Sequence, residues 1–253
     1  MTPVLEMAGV AKTFAGIRVL SDLEIVLEEG ALLGLVGANG AGKTTVLNVI
    51  GGQVTPDIGR IRLAGRDIGA LPAWKRAVLG LGRTFQESRL WPDLTVKVHF
   101  LVALNVSRSE AALKPAGRAI EEMLSLAELS SETLDQRPGQ MRLLDRRRVE
   151  LAMAGLNATN ILLIDEIGAG LETQEATTLY RLIERLIRER RSRAAILVEH
   201  RLDLLAAFAT EIGLIDAGRI LEHASSNEPA RVSSLMERMF DRRSVARTRI
   251  EIK

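Results

Sequence analysis

Short apolar runs alternate with stretches of helical periodicity along most of the chain, which predicts an α/β fold. Val4 to Val10 and Leu23 to Leu27 have strand character, and Leu32 to Val36 is a continuous apolar run that leads straight into a glycine-rich turn, as a buried strand would. Ile58 to Leu63 reads as a further strand. Ala73 to Val78 and Ala116 to Ala127 read as helices, the second entered just after Pro115. Ile161 to Ile164 and Ile196 to Val198 are short apolar runs ending in acidic residues, a pattern of buried strands with polar chemistry at their C-terminal ends. Between them Leu179, Leu182, Ile183, Leu186 and Ile187 recur at the spacing of one helix face. The charged run RERRSR then suits a solvated helix end. The tail from Ala224, with Ser225, Ser226, Asn227 and Pro229, reads as an appended helix and a loose end.

A chain of 253 residues that is 47% hydrophobic can bury a sizeable core, as one large α/β domain or one domain with a smaller lobe. Its 34 basic and 32 acidic residues leave a formal charge of +2, so bulk charge gives no support to a nucleic-acid role. The absence of cysteine excludes disulfides and thiolate chemistry and fits a reducing compartment; any metal must be held by oxygen ligands. MTPVLEMAGV has neither a basic region nor a long apolar one, so no secretory signal is expected. The longest apolar run falls far short of the roughly 20 residues that span a bilayer. Membrane association is therefore expected only through a partner.

GANGAGKT, Gly37 to Thr44, matches the P-loop pattern at every fixed position, with a strand before it and a helix after it. Gly37, Asn39, Gly40, Ala41, Gly42, Lys43, Thr44 and Thr45 form the expected phosphate-binding set. Their backbone amides and the helix N-terminus face phosphate, Lys43 neutralises β- and γ-phosphate charge, and Thr44 offers a hydroxyl to Mg²⁺. ILLIDE then ends a strand in Asp165, placed to hold the Mg²⁺ shell, and Glu166, able to polarise a water for attack on the γ-phosphate. The guanine-specifying Asn-Lys-x-Asp string is missing, which weighs against a GTPase.

These residues resemble an ABC-type ATP-binding cassette over nearly the whole chain to about Glu222. The resemblance implies a RecA-like core, an antiparallel β subdomain and a helical subdomain at about 87–150, with 223–253 as a C-terminal extension. It implies an ATPase that uses ATP and Mg²⁺. Phe14, in AKTFAG, sits where such cassettes stack an aromatic on adenine, although alone it reads as a core residue. Gln86, in GLGRTFQ, resembles the glutamine that touches Mg²⁺ and the attacking water. His200, ending AILVEH, resembles the histidine that contacts the γ-phosphate. The wording of GANGAGKTTVLNVIGG, AGRDI and GLGRTFQESRLWPDLTV is similar to ATP-binding subunits of branched-chain amino-acid importers, with urea and amide importers close by. Such subunits are peripheral on the cytoplasmic face of membrane-spanning subunits and are fed indirectly by an extracytoplasmic solute-binding protein. Residues 87–105, with Leu90, Trp91 and Leu94 in a loop-like stretch, would then dock a membrane subunit; a core role for Trp91 fits equally.

The family's Leu-Ser-Gly-Gly-Gln signature stands at a fixed distance before the Asp-Glu strand end. Counting back along this chain places Met141, Arg142, Leu143, Leu144 and Asp145 there. Two leucines replace the glycines that let backbone approach the nucleotide of a second subunit, and an acid stands close to phosphate. The other reading takes RPGQ, Arg137 to Gln140, as the signature. Sliding a helix start from Asp145 to Gln140 moves it by about 7.5 Å and turns it by about 140°, which needs a looped-out segment. The three arginines at 146–148 spread over about 200° of a helix and suit a solvated or partner-facing role. Ile167, Glu172 and Arg201 depart from the family's Pro, Asp or Asn, and Asp. A poor lid for a partner's nucleotide favours a heterodimer with a sister ATP-binding subunit over a homodimer. The alternative is a non-hydrolytic regulatory or structural subunit.

Overall fold

The computed structural model describes residues 2–107, 116–189, 191–235 and 237–238. The chain runs β1 (Leu5–Phe14), β2 (Ile17–Leu27), β3 (Leu32–Val36), α1 (Lys43–Gly51), β4 (Ile58–Leu63), β5 (Arg66–Asp67), α2 (Ala73–Val78), β6 (Leu81–Arg83), α3 (Val96–Ser107), α4 (Ala116–Leu126), α5 (Leu143–Asn157), β7 (Ile161–Asp165), α6 (Thr173–Arg188), β8 (Ala194–Val198), α7 (Leu202–Phe208), β9 (Glu211–Asp216) and β10 (Arg219–Ser225). Two short 3₁₀ turns, Ser131–Asp135 and Pro138–Gln140, precede α5. The chain forms two compact units: one takes its described residues from Met1–Ala70 and Ile196–Lys253, the other from Leu71–Ala195.

In the first unit an antiparallel sheet has the order β2-β1-β4-β5. Its hairpins are tight: Phe14 pairs Ile17 across Ala15-Gly16, and Leu63 pairs Arg66 across Ala64-Gly65. The β9–β10 hairpin repeats the device, Asp216 pairing Arg219 across Ala217-Gly218. All six turn residues have positive φ, from 44° at Ala217 to 83° at Gly16, as two-residue hairpins require. The alanines bear the steric penalty of that region, which asparagine tolerates better. Ala64→Asn, at an exposed tip, is expected to raise stability by about 0.5 kcal/mol, a gain of about 1–2 °C in melting temperature measurable by differential scanning calorimetry.

β3 is buried along its whole length and pairs in parallel with β9, Leu33 opposite Glu211 through Val36 opposite Leu214. That buried pair sets the direction in which the chain enters the glycine turn and α1. In the second unit β6 pairs in parallel with β7, Leu81 opposite Ile161 through Arg83 opposite Leu163. α5 packs on β6 and on α3, α4 and α6. Gly82 is needed there, because a Cβ on it would lie 2.2 Å from the Ala154 carbonyl oxygen of α5.

The strands at Leu32–Val36 and Ile58–Leu63 and the helix at Ala73–Val78 have the bounds that the apolar pattern predicts. β1 and β2 run longer, since their polar outward residues still pair. Leu90, Trp91 and Leu94 lie in irregular backbone, but the stretch read as loop-like becomes helix α3 from Val96. Of the RERRSR run, Arg190 lies outside the described residues, and Arg191 is not a solvated end: its guanidinium pairs with Glu122 at 2.6 Å. No helix among the described residues is long and apolar enough to cross a membrane.

Candidate functional site

The first unit carries the P-loop, Phe14 and His200. After β3 the chain turns through Gly37, where a Cβ would lie 2.2 Å from the Ile215 carbonyl oxygen, so only glycine fits against β9. Gly42, at φ 106°, caps α1 in a left-handed conformation. The Lys43 ammonium donates to the carbonyl oxygens of Gly37 at 2.8 Å and Ala38 at 2.9 Å. A buried ammonium inside a turn is thus aimed back over the loop it follows. Asn39 and Gly40 at the tip are exposed, Ala41 is buried, Thr44 is exposed and Thr45 half-buried. Phe14 is 42% exposed at the end of β1, so it is not the core residue that it resembles in isolation. Lys12 lies 5.4 Å from its ring centroid. His200 is half-buried just beyond β8.

The second unit carries Gln86, Asp165 and Glu166. β7 is wholly buried and ends in Asp165, which is 2% exposed. The ends of β6 and β7 are tied: Thr84 N–H donates to the Leu163 carbonyl at 2.9 Å, and Asp165 N–H donates to the Thr84 hydroxyl at 3.4 Å. Glu166 then takes a left-handed backbone, φ 46°, uncommon for a residue with a Cβ. Gln86 Nε2 donates to Glu166 Oε2 at 2.8 Å, bringing together two of the predicted site residues. Beside them Arg83 packs on the Phe85 ring, with Arg89 also against that ring. Burial draws Arg83 down to about 10, the Asp165 carboxylate pushing it back up and Arg89 adding to the fall. It stays a cation at neutral pH and offsets the buried aspartate.

The donors suit Mg²⁺, a hard ion held by one or two carboxylates and by substrate phosphates. In the first unit Thr44 carries a hydroxyl; in the second, Asp165 carries a carboxylate and Gln86, whose Nε2 is engaged, an amide oxygen. The glycine turn, closed to any Cβ at Gly37, suits a phosphate chain.

The sequence model of the family described as ABC transporter matches residues 20–169. The chain belongs to the ABC transporter family. It is 33% identical over 233 residues to the high-affinity branched-chain amino acid transport ATP-binding protein BraF of Pseudomonas aeruginosa, covering 85% of this chain and 89% of that protein. It is 32% identical over 222 residues to the ribose import ATP-binding protein RbsA 1 of Rhizobium etli, with 87% of this chain but 43% of that protein covered. In fold it is similar to a nucleotide-free ATP-binding cassette from an ABC transporter, with a TM-score of 0.81, 22% identity, and 93% of this chain and 95% of that chain covered. The fold is an α/β P-loop ABC cassette.

Within this ABC transporter chain, the stretch read as the altered signature falls at the start of α5, which begins at Leu143 with Arg142 as N-cap and no side-chain capping bond. RPGQ lies before it, its last three residues in the 3₁₀ turn Pro138–Gln140. Leu143 is half-buried, its Cδ2 3.2 Å from where a Cβ on the exposed Gly170 would stand. The arginines correct the reading from the sequence. Arg147 is buried, not solvated, and donates to Glu150 Oε2 and to the Gln86 carbonyl, each at 2.9 Å, and to the Phe85 carbonyl at 3.4 Å. Arg148 reaches Glu128 at 3.4 Å and Asp145 at 3.7 Å. Sequence reasoning missed Arg147, Thr84 and Arg83; the one signal in reach was Glu150, three residues after Arg147 on a helix.

Proposed function

We propose that this chain is the ATP-hydrolysing subunit of an ABC importer for a small solute, with branched-chain amino acids as the substrate class. The observation that carries the catalytic part is the 2.8 Å bond from Gln86 to Glu166, at the end of a buried strand, in a chain with a complete P-loop. Support for the amino-acid class is the similarity to BraF over 89% of that protein's length, against 43% of the ribose protein's.

In this mechanism the loop amides and Lys43 bind the β- and γ-phosphates, and exposed Phe14 stacks on adenine. Thr44, Gln86 and Asp165 are the residues that would hold Mg²⁺, which would supply neutralisation of phosphate charge. Glu166 accepts the proton of the attacking water, and the bond from Gln86 fixes the rotamer in which it does so. His200 donates to the γ-phosphate. Membrane-spanning subunits dock over Trp91 and Leu94 and the exposed Val98, Leu101 and Val102 of α3. The chain then sits peripherally on the cytoplasmic face, with the solute-binding protein reached only through those subunits. The core alternative for Trp91 is disfavoured by its 50% exposure.

Met141–Asp145 stands in the signature position without the small residues that admit a partner's nucleotide, so the chain works beside a sister ATP-binding subunit. The α5 start at Leu143 supports this register over RPGQ. Size exclusion of the full-length Glu166→Gln chain with Mg-ATP tests it, since blocked hydrolysis traps a closed dimer. A monomer that binds ATP is expected; an ATP-dependent homodimer would overturn the altered-signature reading.

A further inference from the structure

We infer that the buried Arg147–Glu150 pair is a positioning device that carries the orientation of α5 to Glu166 through the backbone of Gln86. The inference rests on the reading of Gln86 and Glu166 given above. Arg147 and Glu150 have side chains only 8% and 7% exposed and meet at 2.9 Å. The guanidinium divides its donors: NH1 serves Glu150 and the Phe85 carbonyl, NH2 the Gln86 carbonyl. Two successive carbonyls just beyond β6 are therefore held by one planar group rooted in the second turn of α5. From the same residue the Gln86 side chain reaches Glu166. The path runs helix, guanidinium, main chain, amide, carboxylate, and its non-covalent links, with the Glu150 bond that braces the guanidinium, are hydrogen bonds of 2.8–2.9 Å.

A buried ion pair is a poor way to gain stability, because desolvation offsets most of the attraction. Its use is geometric: Glu150 fixes the plane of the fork, and the fork fixes two carbonyl directions at once. Lysine, a compact charge on a flexible stem, lacks the planar fork that fixes both carbonyl directions together with Glu150. Because the pair sits on the helix whose N-terminus carries the altered signature, displacement of α5 shifts Gln86, and with it the glutamate, without direct contact between α5 and nucleotide.

The test is a double-mutant cycle on the full-length chain, under conditions where Glu166→Gln abolishes turnover. Arg147→Met is expected to lower kcat about tenfold and to leave KM for ATP within about twofold, the pattern of a misplaced reacting group. In the Gln86→Ala background the same substitution is expected to change kcat by less than about twofold, since the amide link is already gone. Arg147→Lys, which keeps the charge but not the fork, is expected to lower kcat about threefold, a smaller loss than that of Arg147→Met. An unchanged kcat for Arg147→Met, or a full tenfold loss persisting in Gln86→Ala, would overturn the inference. Should Arg147→Met fail to fold by its melting curve, Arg147→Lys and Glu150→Gln carry the same cycle, with a kcat-only loss expected from each and additivity with Gln86→Ala overturning it. If Glu166→Gln turns over at the parent rate, the site reading itself falls, an outcome distinct from failure of the Arg147 link.

Discussion

The Glu166→Gln chain is expected to bind Mg-ATP within about twofold of the parent and to lose about 10²- to 10³-fold in turnover. The substitution keeps size and shape and removes only the capacity to take a proton. The side-chain oxygen of the new residue still accepts from Gln86 Nε2, so the 2.8 Å contact and the left-handed turn at φ 46° have no reason to change. Equilibrium binding of a fluorescent ATP analogue and single-turnover hydrolysis separate the two effects. Turnover at the parent rate would move the proton acceptor to another group.

Lys43→Ala acts on the other quantity. Its ammonium is buried and lies within 2.9 Å of two carbonyls of the glycine turn, and in the proposed mechanism it is the charge that meets phosphate. Removing it is expected to weaken Mg-ATP binding at least about 100-fold, or about 2.7 kcal/mol. Gly37 and Ala38 also lose a donor, so a fall in stability of about 1–3 kcal/mol accompanies the loss. Titration calorimetry with Mg-ATP, paired with a melting curve, distinguishes lost affinity from lost fold. Binding as tight as the parent's would remove the P-loop from the phosphate site.

What could be read from the sequence follows how each element announces itself. The P-loop is legible because its chemistry needs fixed residue types at fixed spacing, and β3 because five successive buried residues leave no alternation to misread. α6 is legible because its core face repeats cleanly. α3 is not, since VKVHFLVALNVS is β-branched and apolar around its circumference and gives no clean stripe. β6 is only three residues long. The β9–β10 hairpin hides behind an Ala-Gly turn where Asn-Gly is the familiar sign. Arg147 was misjudged because three adjacent charges look like surface, and only the carbonyls of a distant segment show that one faces inward. His99 escaped notice for a similar reason: it is fully buried, accepts from Trp91 N–H at 2.9 Å and donates to the Thr95 carbonyl at 2.8 Å, which anchors the irregular segment before α3.

The first unit is discontinuous in sequence, and this gives the order of synthesis a role. β3 is made early, yet its parallel partner β9 begins only at Glu211. The glycine turn leans on the Ile215 carbonyl, and Gly218 N–H donates to the Ala41 carbonyl at 3.0 Å inside the P-loop. At about 5–20 residues per second, the wait between Val36 and Glu211 is about 9–35 s. Throughout that interval the nascent chain carries the whole phosphate motif as sequence but lacks the strand that sets its shape. A product that stops short of Gly218 lacks the hydrogen bond to the Ala41 carbonyl, so the turn takes its final shape only in chains whose translation has passed that point.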